Sequence, residues 1–166
     1  MEMRRWRLSL VALLAVCAVT LLPAGAEASV PPPPSTGCSN LFFTLAGMTG
    51  QDWITVCLKP DPASGPHEMI ATVTWGAPHS DGNWQSCNIT LHIINVATGA
   101  RLGGSRSKDC GFAFASGSSD ILGLPPILGT PGARYQAFSG VDCTYDGDIR
   151  ACKAIARFSP PLTIPT

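Results

Sequence analysis

The chain is short of charge and of aromatic rings. Of its 166 residues, 13% are charged and 7% aromatic, and 11 basic residues balance 11 acidic ones. With no basic surplus, electrostatic capture of nucleic acid or of an anionic membrane is not expected. Histidine is limited to three residues, none at ligand spacing from a cysteine, and no C-x-x-C occurs. Neither a metal site nor a cofactor is therefore expected. The G-x-S-x-G, H-E-x-x-H and P-loop signatures are missing, as are heptads and internal repeats. No ten-residue stretch has clean helical periodicity. Breakers are abundant instead: 17 Gly and 15 Pro argue against a long helical bundle. At 45% apolar, the chain is too hydrophobic for a disordered polyampholyte.

The N-terminus reads as a targeting segment. Arg4, Arg5 and Arg7 precede an apolar run over residues 8–22, too short for a comfortable bilayer span. Small residues at Ala24, Ala26 and Ala28 then suit cleavage after Ala26 or Ala28. Residues 1–28 are thus expected to be a secretory signal peptide. The alternative, an uncleaved anchor, lacks support from any second apolar span. Cys17 leaves with the signal, and no apolar tail announces a lipid anchor. Residues 29–37, with four consecutive Pro, form a Pro-rich spacer of polyproline type. Residues 38–159 form the folded domain, and residues 160–166 a Pro-rich tail expected to run over the surface. Starting at Ser29, the mature chain has 138 residues, with 8 basic and 9 acidic side chains. That is one domain's worth of chain.

Six cysteines remain in the mature chain: Cys38, Cys57, Cys87, Cys110, Cys143 and Cys152. An even number behind a signal peptide predicts three disulfides and an extracellular location.

The dominant periodicity is two. Leu41, Phe43 and Leu45 alternate over 40–46, and Ile54, Val56 and Leu58 over 52–58. Met69, Ala71, Val73 and Trp75 share one face over 68–75. Cys87, Ile89, Leu91 and Ile93 share another over 87–96, leaving Asn88, Thr90, His92 and Ile94 outside. Phe112 and Phe114 suggest a short strand, and residues 134–145 and 149–158 two longer ones. This is the pattern of half-buried strands. Seven or eight of them in about 120 residues predict an all-β fold, a single disulfide-braced antiparallel β-sandwich. Gly99 marks one hairpin turn and residues 146–149 another. A four-residue loop there places Tyr145 opposite Arg150 and Cys143 opposite Cys152.

Residues Pro131, Gly132, Ala133, Arg134 and Tyr135 lead into a strand. They resemble the corner before the penultimate strand of immunoglobulin-like and fibronectin-type sandwiches. The resemblance implies that architecture, with a Tyr hydroxyl bonding back to the backbone.

Alternating strand directions place the connections. Residues 76–85, 105–109 and 146–149 fall at one end, the top; residues 59–67, 97–99 and 117–132 fall at the bottom. Cys87 and Cys110 then meet at the top and Cys38 and Cys57 at the bottom. The sequential pairing 38–57, 87–110 and 143–152 strains this arrangement least.

Candidate functional residues cluster in the top connections: His79, Asp81 and Trp84 in one, Asp146 and Asp148 in the other. Carboxylates accept hydrogen bonds from hydroxyls and an indole covers the apolar face of a sugar ring. The plain alternative makes Trp75 and Trp84 strand-end core residues and the acids turn formers. Residues 121–128 are apolar and either offer a partner loop or fold under the bottom. His92 points outward. Asn88-Ile-Thr90 is a glycosylation sequon in a eukaryotic secretory path. The leading expectation is a secreted, non-catalytic recognition domain that binds an extracellular glycan or protein through its end loops. A matrix or cell-wall glycoprotein, and a small secreted hydrolase or protease inhibitor, are the alternatives.

Overall fold

The computed structural model describes residues 36–44, 50–78, 84–145 and 155–166. In chain order these form β1 (Cys38–Phe43), β2 (Asp52–Pro60), β3 (Glu68–Gly76), β4 (Trp84–Asn95) and β5 (Arg101–Asp109). A short helix, α1 (Gly111–Ser116), follows. Then come β6 (Ser119–Gly123), β7 (Ile127–Leu128), β8 (Arg134–Tyr145), β9 (Ala156–Phe158) and β10 (Leu162–Thr163).

The strands make two antiparallel sheets. One runs β1-β2-β3-β6, with β7 also pairing β3. The other runs β10-β8-β4-β5, with β9 also pairing β8. The expected apolar faces form one shared cluster: Ile54, Val56 and Leu58 of β2, Met69, Ala71, Val73 and Trp75 of β3, and Cys87, Ile89, Leu91 and Ile93 of β4. Leu41 and Phe43 of β1 pack against it. Trp75 is therefore a core residue, in line with the plainer of the two expectations.

Cys38 lies opposite Cys57 in the β1–β2 ladder and is bonded to it, and Cys87 is bonded to Cys110. Both bridges match the sequential pairing. Cys143 is disulfide-bonded as well. Cys152, its expected partner, lies outside the described residues.

Several expectations need correction. Phe112 and Phe114 lie in a helix, not a strand. Residues two apart on a helix face nearly opposite ways, so Phe114 is buried in the cluster while Phe112 is 78% exposed. Gly117 ends the helix at φ 68°, the left-handed conformation that suits a glycine. Residues 105–109 are not a loop but the end of β5. That strand lies at a sheet edge and is exposed along most of its length, so it lacks an alternating signature. Residues 117–132 carry β6 and β7, which complete the outer side of β3. The tail does not simply run over the surface: β10 pairs with the start of β8, and Ile164 is buried.

The expected loop over 146–149, with Arg150 and Cys152 beyond it, lies outside the described residues; in the described part of the β8–β9 ladder Phe138 pairs with Phe158 and Ser139 with Arg157. The observed register joins the two Phe rings on the outer face, their centroids 4.9 Å apart. It also turns Arg157 inward, where its Nε–H donates to Ser39 Oγ of β1 at 2.6 Å.

The opposite side of the molecule is closed by β5 and β6. Lys108 Nζ donates to Asp120 Oδ1 at 2.7 Å, and Arg106 Nη1 to the Gly123 carbonyl at 3.4 Å. At the bottom, the Thr130 N–H donates to the Tyr135 hydroxyl at 3.1 Å. This is the backbone contact that the resemblance at the corner implied.

Candidate functional site

The top end is built from strand ends. Gly76, which ends β3, lies opposite Trp53 of β2 and Ser119 of β6. The next residue, Ala77, is buried, and its N–H donates to the Ser118 carbonyl at 3.2 Å. The chain returns at Trp84, which opens β4 opposite Tyr145, the last residue of β8. The connections on either side of Trp84 and Tyr145 thus leave from adjacent strands, as the alternation of strand directions requires.

His79, Asp81, Asp146 and Asp148 lie outside the described residues. For Trp84 and Tyr145 the backbone alone is described, and it brings these two together. Helix α1 adds a ring at this end that the sequence pattern misses, because the spacing of Phe112 and Phe114 reads as a strand. The Cys87–Cys110 bridge fixes the start of α1 to β4. The buried Phe114 ring packs edge-on against Phe43, centroids 5.9 Å apart. Phe112 is thereby held outward on an anchored turn.

Residues 117–132 are expected at the bottom, but β6 starts at the top beside Gly76, and residues 121–128 descend along β3 from Thr74 to Glu68; along this run both expected behaviours occur. Leu124 is buried, and Leu122 and Ile127 pack against the cluster, while Ile121 and Leu128 are exposed. The side chains alternate because β6 and β7 pair with β3 rather than forming a loop.

The outer face of the second sheet holds a further group. His92 points away from the cluster, as expected, yet it is covered. The Phe138 ring lies 4.8 Å from its imidazole, and Phe158 continues the row on the far side of Phe138. Burial, and then the charge of Arg101, push the His92 imidazole below its usual pKa. The row was legible in principle. The buried phase of β8, from Tyr135 through Ala137 to Val141 and Cys143, leaves Phe138 outside. Asn88 is exposed on the same face, between Asp109 of β5 and Asp142 of β8.

Among the described residues, no three His, Cys, Asp or Glu side chains converge as metal ligands would. No described helix is long and apolar enough to cross a membrane. Comparison with protein-family models, with curated proteins and with solved structures finds no match.

Proposed function

We propose that the chain is a secreted, non-catalytic recognition domain that holds an extracellular glycan or protein partner at its top end. Its architecture is taken as an immunoglobulin-like or fibronectin-like sandwich. Support for that comes from two antiparallel sheets sharing one cluster, a chain that changes sheet between β3 and β4, β5 and β6, and β7 and β8, and the Tyr135 corner. The two described disulfides and the bonded Cys143 fit an extracellular location, with residues 1–28 as the signal peptide. Asn88 is then a glycosylation acceptor.

The observation that carries the functional reading is the pairing of Trp84 with Tyr145. It starts the two candidate connections from neighbouring strand ends, and the ends of a sandwich commonly carry its binding loops. His79, Asp81 and Trp84 on one connection and Asp146 and Asp148 on the other then offer carboxylates for hydroxyls and an indole for an apolar ring face. Phe112, exposed on the helix that the Cys87–Cys110 bridge ties to the start of β4, is a further ring at this end.

The test is binding of the mature protein to a glycan array and to extracellular protein extracts, with a hydrolase panel run on whatever is retained. Retention without turnover is the expected result. Release of hydrolysis products would put the small secreted hydrolase in its place.

A further inference from the structure

We propose that the aromatic row on the outer face of the second sheet is the seat of a glycan carried by Asn88 of this same chain, its first sugar resting on the Phe138 ring. The inference builds on the secretory reading above, since it requires passage through a glycosylating secretory path.

The acceptor is the carboxamide of Asn88 in the sequon Asn88-Ile-Thr90. Alternation along β4 buries Ile89 completely and turns Asn88 and Thr90 outward, so the folded sheet tolerates a bulky group on Asn88. In the transfer step, Asn88 Nδ2 attacks the anomeric carbon of a lipid-diphosphate-linked oligosaccharide. The N–C bond forms, the bond from carbon to diphosphate oxygen breaks, lipid diphosphate leaves, and Nδ2 gives up a proton.

The seat follows from the register. Asn88 lies opposite Asp142, and Thr90 opposite Gly140. Gly140 carries no side chain, and the Phe138 ring lies over its place: a Cβ built there would meet Phe138 Cε1 at 3.3 Å. The ring thus leans along β8 toward the row that holds Asn88. Phe138 itself stands opposite His92, but Gly140, over whose place its ring lies, is the diagonal neighbour of Asn88; such neighbours are about 7–8 Å apart, within the reach of a sugar fixed to the Asn88 amide.

His92 and Phe158 brace the ring on both sides, at 4.8 and 4.9 Å. Phe158 itself is 45% exposed. The ring offers an apolar surface to the C–H face of a sugar, while Asp109 and Asp142, beside Asn88, offer acceptors to its hydroxyls. The aromatic row stands close to the sequon on one face of one sheet, which favours a tethered sugar over a separate peptide or a second copy of the chain.

The full chain should be secreted from a eukaryotic cell in four forms: wild type, Asn88→Gln, Phe138→Leu and the double variant. Intact-mass analysis should find one glycan in the first and third forms and none in those lacking Asn88. In a double-mutant cycle, Asn88→Gln should lower the melting temperature by about 3 °C in the wild-type background and by much less in the Phe138→Leu background. Should the Phe138 variants fail to fold, proton spectra of the wild type decide. Ring-current upfield shifts of the first sugar are expected, and shifts like those of a free glycan overturn the seat, as does the same melting loss in both backgrounds. Secretion of cleaved but unglycosylated protein would overturn the inference while leaving the secretory reading intact. Concentration-dependent dimerisation through this face would assign the row to a second copy instead.

Discussion

Tyr135 is 2% exposed, and its hydroxyl is the acceptor for the Thr130 N–H. Hydrogen bonding with Thr130 holds the phenol below its usual pKa despite burial. Tyr135→Phe keeps the ring but leaves that N–H without its partner at a corner. A loss of about 1–3 kcal/mol is expected in urea unfolding, and an unchanged midpoint would show that the contact contributes nothing. His92 supplies a second test. With its folded pKa depressed, the folded chain binds its proton less readily than the unfolded chain does. The stabilisation is complete above the unfolded value of about 6.5 and is lost as pH falls through it and then through the folded value. His92→Phe, which cannot titrate, should flatten the dependence of melting temperature on pH below about 6.5; an identical slope would contradict this. The corner at Tyr135 was legible because it depends on a few neighbouring residues. That Phe138 faces outward could be read from the phase of β8, but that it covers His92 could not, because the two meet through a register that only the folded sheet sets.

At the scale of elements, legibility followed burial on one face. β2, β3 and β4 bury one face in the shared cluster, so their alternation and phase could be read directly. β5 could not be read that way, since an edge strand exposed on both faces needs no alternation. Helix α1 has six residues, under two turns, too few to separate a helical period from a strand period. In the β8–β9 ladder the Phe138–Phe158 pair packs on the outer face, a cross-strand contact that loop length alone does not announce. The β5–β6 side shows how the fold treats its edges. Two cationic side chains cross from β5 and donate to β6 carbonyls, Lys108 to Ile121 and Arg106 to Gly123, which blunts the edge against foreign strands. For Asp120, burial works against ionisation, but the Lys108 hydrogen bond, the Ile121 N–H and the Lys108 charge together hold its pKa below the usual range. Both partners are substantially exposed, so Lys108→Ala should cost less than about 1 kcal/mol, and less still in high salt. A loss of several kcal/mol in equilibrium unfolding would mean that the pair fixes how the sheets meet.

For the whole molecule, cysteine spacing was informative because strand direction decides which ends can meet. The two described bridges span separations of 19 and 23 residues, and each should contribute roughly 3 kcal/mol by restricting the unfolded chain. Thiol titration of denatured, unreduced mature protein should find no free thiol, whereas two or more would argue against the third pair. Of the candidate site, only the flanking strand ends are described: Trp84 pairs with Tyr145, and strand periodicity does not position side chains within the connections beyond them. The most direct measurement is therefore binding by the double variant Asp81→Ala with Asp148→Ala on a glycan array, read together with its thermal melting. The account predicts that wild-type binding is lost while stability stays within about 0.5 kcal/mol, as surface substitutions usually allow. Undiminished binding by the variant, or a melt far below that of the wild type, would contradict it and return these acids to the role of turn formers.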